Sequence, residues 1–188
     1  MKLSFVLIVL FFLLSCSSHS LENDYKQLKS SRIVFPNYEY VIKNGREIVT
    51  PSKLNSTKLK LIVFCDSTNC NKCSIENIYS WERLIEYAKT LNNELSYHFI
   101  YYPKESDIED VRLTLTLMAF VYPIILDSLG KFRALNPHIP TNSLFHTFLV
   151  NEKGNVIMVG NPLSNTETYT LFKKTVEDYL SNGSKNGF

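Results

Sequence analysis

The sequence predicts an α/β domain with a mixed central sheet flanked by helices and an N-terminal β-hairpin extension. Three patterns predict it. Between residues 59 and 126, strand-like segments alternate with segments of helical period, which requires parallel strands joined by helical crossovers. The run Leu59 to Phe64 is almost continuously apolar, as suits a strand buried on both faces. A hairpin pattern followed by one more helix closes the chain, which adds antiparallel strands to the parallel core.

The elements follow in order. Ile33 to Ile42 alternates loosely and is rich in Val, Ile, Tyr and Phe. Lys43-Asn44-Gly45-Arg46 is a tight-turn signal, and Glu47-Ile48-Val49 continues as the return strand. Pro51 to Thr57 reads as a loop before the apolar strand. Ile75, Ile78, Trp81, Ile85 and Ala88 step by three or four residues and predict a first core helix. Ser96 to Tyr102 is a strand ended by Pro103. Ser106 and Glu109 form a candidate capping box for a second helix, with Ile108, Val111, Leu115 and Met118 as its apolar stripe. Pro123 to Leu126 is a short strand, and Gly130 to Pro140 reads as irregular with room for one helical turn. Thr147–Val150 and Val156–Val159 predict a hairpin across Asn151-Glu152-Lys153-Gly154. Ser164 and Glu167 repeat the capping-box spacing before a last helix striped by Phe172, Val176, Tyr179 and Leu180. Residues 182–188 are expected to fray.

The 188 residues suit one domain plus a targeting segment, with 45% apolar and 20% charged residues. A formal net charge of +2 without any basic run argues against a nucleic-acid partner. Lys2 followed by the apolar stretch Leu3 to Leu14 is too short to span a bilayer, which needs about 20 residues. It fits the apolar core of a signal peptide over residues 1–15. Leu13-Leu14-Ser15-Cys16 is similar to the bacterial lipobox, which implies cleavage before Cys16 and lipidation of its thiol. The polar stretch 16–31 is then expected to be a tether, and 32–181 the folded domain. No Asp follows Cys16. By analogy with other lipoproteins, this places the expected anchor in the cell envelope, at the outer membrane facing the periplasm.

With Cys16 assigned to export, Cys65, Cys70 and Cys73 remain. An odd number suggests one buried thiol beside a reactive pair. Cys65 falls on the same strand face as Leu59, Leu61 and Val63, so it reads as a small buried hydrophobe. Cys70-Asn71-Lys72-Cys73 follows the buried strand and precedes a helix. A thiol at a helix N-terminus meets unpaired N–H groups and the positive end of the dipole, and Lys72 adds charge nearby. Lowering a thiol pKa from about 8.5 to about 7 raises the thiolate fraction from roughly 3% to roughly 50%, and makes a better leaving group. A lone CxxC is also half a zinc site or a purely structural disulfide. Asp66 reads as a turn residue or as a carboxylate moving protons to Cys73. His98, in a strand, and His138, in a loop, read as structural or solvated.

The segment Leu59–Cys73 (LKLIVFCDSTNCNKC) resembles the strand–CxxC–helix core of the thioredoxin superfamily, and the resemblance extends over roughly Ile33 to Leu180. It is nearest the membrane-tethered thiol–disulfide interchange type with an N-terminal hairpin, and to thioredoxin-like lipoproteins of Bacteroides-type bacteria. His146-Thr147-Phe148-Leu149-Val150-Asn151, with Gly154 beyond, is similar to that family's Pro-Thr-x-Phe-Leu-Ile-Asp…Gly region. The resemblance implies a thiol–disulfide oxidoreductase acting on exported protein thiols or disulfides, with Cys70 and Cys73 catalytic and no cofactor. Asn69, Lys72, Phe145 and His146 would line the substrate cleft. The sequence departs from the family twice. Asn69 stands where Trp is usual, and Phe145 or His146 occupies the place of the cis-proline, so a trans peptide is expected there. The missing proline opens an alternative: Cys70, Cys73 and His146 as ligands for a soft metal such as copper. A non-catalytic envelope module on the same fold is the third reading.

Overall fold

The computed structural model describes residues 20–51, 54, 56–67 and 75–185. The signal segment, Cys16, Asn69, Cys70, Lys72 and Cys73 lie outside them. The described strands form one seven-stranded mixed sheet flanked by helices.

The strands are β1 (Tyr40–Lys43), β2 (Arg46–Val49), β3 (Leu59–Cys65), β4 (Leu95–Tyr101), β5 (Ile124–Leu126), β6 (Thr147–Asn151) and β7 (Val156–Val159). Their order across the sheet is β2-β1-β5-β4-β3-β6-β7. β3, β4 and β5 run parallel, while β6 lies antiparallel to β3, β7 to β6, and β1 to β5. The Asn44-Gly45 turn forms as expected, with both residues at positive φ and Lys43 opposite Arg46. Gly45 is required there twice over: a Cβ would stand 2.6 Å from the Thr116 carbonyl oxygen.

Period-two alternation sorts the central strands into two cores. On one face, Leu59, Leu61 and Cys65 of β3 and Tyr97, Phe99 and Tyr101 of β4 pack against three helices. These are α2 (Glu82–Thr90), α3 (Ile108–Met118) and α5 (Thr166–Lys185). Trp81 stands edge-on to Phe99 with centroids 5.6 Å apart, so it is core, as expected. On the other face, Ile62, Phe64, Ile100 and Phe148 meet Leu54, Phe132 of the short helix α4 (Lys131–Leu135), and Leu28.

Leu28 corrects the expected tether. Residues 20–30 are helical (α1), and Leu28 is 0% exposed. The stretch is polar enough to read as a linker, yet one fully buried leucine contributes about 2 kcal/mol of docking. Lys29 Nζ also donates to the Ile157 carbonyl at the sheet edge. The other differences are local. Ile33 to Glu39 is not a regular strand, because the Asn136 side chain takes the Val34 backbone groups that a partner strand would have paired. The first core helix is broken. Ile78–Trp81 is a 3₁₀ turn, whose three-residue repeat sets Ile78 and Trp81 on one side before α2 begins. Neither capping box forms: α3 starts after Asp107 without a side-chain cap, and Asn165, not Ser164, caps α5 by accepting from the Thr168 N–H at 2.8 Å. The expected frayed tail is helical as far as Lys185, since one glycine costs a helix only about 1 kcal/mol.

Candidate functional site

β3 lies between parallel β4 and antiparallel β6, and the cysteine motif follows it in the chain. Phe64 and Cys65 close the strand, and Asp66 follows, 4% exposed. Cys65 is buried, as its strand face predicts. Beside Phe64 lies the turn Ser143–Phe145, which leads into β6. The Phe64 N–H donates to the His146 carbonyl at 2.9 Å, so this turn is fastened against the strand end. Among the described residues there is no cis peptide, and the Phe145–His146 peptide is trans as expected.

α4 supplies the third wall. It is only five residues long, and Asp127 at the end of β5 starts it: the carboxylate accepts from the N–H groups of Lys131 at 2.9 Å and Phe132 at 2.8 Å. Gly130, at φ +61°, makes the entry, and a Cβ there would stand 2.8 Å from the Tyr102 ring. This geometry aims Arg133 at the end of β3. Its Nη2 donates to Asp66 Oδ2 at 2.7 Å, its Nη1 donates to the Ile139 carbonyl at 2.6 Å, and the guanidinium lies 4.9 Å from the Phe64 ring centroid.

His146 completes the cluster. Its ring is 5.3 Å from that of Phe64, and Nε2 lies 2.8 Å from the Pro140 carbonyl and 3.9 Å from Asp66 Oδ2. A carbonyl can only accept, so Nε2 carries the proton. The 3.4 Å approach of Arg133 Nη2 to the same nitrogen is therefore a contact between two donors. Burial pushes the His146 pKa down, and Arg133 adds to this, against the opposing pull of the Pro140 carbonyl and Asp66.

The residues expected in the site divide into two groups. Cys70, Cys73, Asn69 and Lys72 lie outside the described residues. Phe145 and His146 sit against the end of β3, but both side chains are buried; the turn presents Leu144 to solvent instead, at 67% exposure. Leu144 borders an open groove of about 490 Å³ that runs past Gly160 to Leu171. As a metal ligand, His146 would have to use Nδ1 or turn its ring, because Nε2 is engaged by Pro140. Among the described residues no three His, Cys, Asp or Glu side chains cluster as a metal site; the set with Cys70 and Cys73 extends beyond them.

Two site residues escaped the sequence or were only half seen. Asp66 was open between a turn and a proton-moving role, and it is the buried half of an ion pair. Arg133 lies in a stretch that reads as irregular, and no spacing links it to Asp66, 67 positions away. His98 is structural as expected: it is enclosed, with Nε2 3.0 Å from the Leu54 carbonyl, and burial depresses its pKa to about 3. His138 is partly buried in the turn after α4, and burial lowers its pKa. Compared with known proteins, the chain matches no family model and no curated sequence. Among the described residues no helix is long and apolar enough to cross a membrane.

Proposed function

We propose that the chain is an exported, lipid-anchored thiol–disulfide oxidoreductase of thioredoxin-like fold, working through Cys70 and Cys73. The observation that carries the reading is the end of β3. Cys70 comes five positions after Cys65 in the chain, and Cys65 ends β3, the parallel strand that borders antiparallel β6. In open α/β sheets, chemistry collects beyond the carboxyl ends of the strands. The strand order, a parallel β3-β4-β5 core extended by an antiparallel β6-β7 hairpin, fits the thioredoxin resemblance.

The reaction is an exchange of two electrons. The Cys70 thiolate attacks a partner disulfide, forms a mixed disulfide and expels one partner thiolate, which takes up a proton. The Cys73 thiolate then attacks the Cys70 sulfur and expels the second partner thiol. The partner is reduced to a dithiol and the Cys70–Cys73 pair is oxidised to a disulfide; the reverse sequence oxidises a partner. Leu144 and the groove beside it offer the partner an apolar approach. Lipidation of Cys16 would hold the domain in the cell envelope, at the periplasmic face of the outer membrane.

The test is reduction of an insulin disulfide by the reduced protein and by its Cys70→Ser and Cys73→Ser variants. The expected result is no turnover for either variant, with Cys73→Ser trapping a mixed disulfide. Equal rates for all three proteins would overturn the reading. For the anchor, incorporation of labelled fatty acid should disappear in Cys16→Ala.

A further inference from the structure

We infer that the outward face of α3 is a self-association surface, on which a second copy of this chain packs antiparallel about a twofold axis. Leu113 and Leu117 stand one helical turn apart on that face and are 57% and 75% exposed. Val121, just beyond the helix, is 59% exposed. The inward side of α3 already has Val111 and Leu115 in the core, so the two outer leucines are not what docks the helix on the sheet. Single exposed leucines are ordinary on a protein surface; two on adjacent turns with a valine beyond them make a patch.

Charge says what covers the patch. Glu105 and Asp107 of the preceding 3₁₀ turn and Glu109 and Asp110 of the first helical turn make the N-terminal end of α3 acidic, with Lys104 beside them. The helix dipole favours acid there, but the other end is marked as well. The β1–β2 turn is packed on the C-terminal end of α3: the Asn44 N–H donates to the Phe120 carbonyl at 2.8 Å, and Gly45 lies against the Thr116 carbonyl. That turn brings Lys43 and Arg46. Arg112 sits between the two ends, 3.4 Å from Glu47 and 3.8 Å from Glu109. The face therefore runs from acidic through apolar to basic, and it complements itself only when turned end for end. In a twofold pair every contact is made twice. Setting Leu113 of one copy against Leu117 of the other brings both acidic ends toward basic turns at once, because Glu109 lies about 6 Å before Leu113 along the helix and the Lys43–Arg46 turn flanks the chain around Leu117. A parallel pair would oppose like charges, and an anionic bilayer would be repelled by the acidic end.

The test is sedimentation equilibrium of the full chain in density-matched detergent. One helix face and one turn make a small contact, at the low end of specific interfaces, so a reversible dimer is expected over roughly 1 to 200 μM. Leu117→Ser should raise its dissociation constant about tenfold or more. So should Glu109→Lys with Asp110→Lys, which makes both ends basic, and Lys43→Glu with Arg46→Glu, which makes both ends acidic. An equimolar mixture of these two charge-reversed proteins should associate about as tightly as wild type, because each basic end then meets an acidic one. That rescue requires two copies turned end for end, and general stickiness would not produce it. Leu117, the most exposed of these apolar positions, carries the test by itself if a charge-reversed chain does not fold. A wild type that stays monomeric at the highest concentration, or a mixture that associates no better than its components, would overturn the inference. Association undiminished in each charge-reversed protein alone would put detergent, and not a second copy, on the leucines and would overturn it too.

Discussion

The backbone N–H of Phe64 donates to the carbonyl of His146 at 2.9 Å, one step beyond the last regular pair of the β3–β6 ladder, Val63 opposite Thr147. The bond joins the end of β3 to the turn that leads into β6. His146 is then secured a second time through its ring, against Phe64 and by the Nε2–H bond to Pro140. The turn is thus fixed from backbone and side chain together.

His146→Ala removes the ring but keeps the backbone bond. It loses the packing on Phe64 and leaves the buried Pro140 carbonyl without that donor. The expected cost is about 2–3 kcal/mol. Urea unfolding at pH 7.5 measures it; a loss under about 0.5 kcal/mol would mean the ring adds nothing to the turn.

Acid should weaken the fold through its buried histidines. Burial depresses the pKa of His98 to about 3 and also lowers that of His146. A base with a depressed folded pKa is protonated first in the unfolded chain. Its contribution is therefore complete above the unfolded value near 6.5 and declines as pH falls toward the folded value. For His98 alone the loss between pH 7 and pH 5 is about 2 kcal/mol. His98→Gln preserves a donor for the Leu54 carbonyl but cannot titrate. Urea unfolding at both pH values should show a pH-dependent loss about 2 kcal/mol smaller in His98→Gln than in wild type. Equal losses would exclude His98 as the cause.

Asp127→Ala should cost about 2 kcal/mol, because the N–H groups of Lys131 and Phe132 both lose their acceptor at the start of α4. The consequence reaches beyond the helix, since α4 carries Arg133. Thermal unfolding gives the stability loss, and protection of the Phe132 amide from hydrogen exchange localises it. Unchanged protection would show that another group caps the helix.

Much of the sheet was legible because strand patterns are local. The apolar run of β3, the Asn44-Gly45 turn and the β6–β7 hairpin each lie within a few consecutive residues. Cys65 and Trp81 were legible for the same reason, from the face they share with their neighbours. The charge cluster was not. Asp66, Arg133 and His146 come from three separate segments, and only the parallel crossovers bring them to one strand end. The N-terminal helix was hidden differently: Leu28 is a single buried leucine in a polar stretch, too little for a periodicity signal. The second capping box misled because Asn165, one position after Ser164, caps α5 itself; at α3 the N-cap position falls on Asp107, one position after Ser106, and its side chain caps nothing.

Asn136 makes a sharper case, because its chemistry sets a truncation against an isosteric substitution. The residue is fully buried. Its Oδ1 accepts from the Val34 N–H at 2.8 Å, while Nδ2 donates to the carbonyls of Val34 and Phe132, both at 2.8 Å. One side chain thus replaces a strand partner for the segment that follows α1. Asn136→Ala strands the Val34 N–H and carbonyl, while the Phe132 carbonyl keeps the backbone N–H of residue 136, and should cost about 2 kcal/mol. Asn136→Asp keeps the size but turns the donor into a second acceptor facing two carbonyls, so it should cost at least as much despite being the smaller change. Limited proteolysis should cut both variants near Val34 much faster than wild type, with chemical denaturation ranking their stabilities. An Asp variant clearly more stable than the Ala variant would mean that Nδ2 does not make the bonds assigned to it.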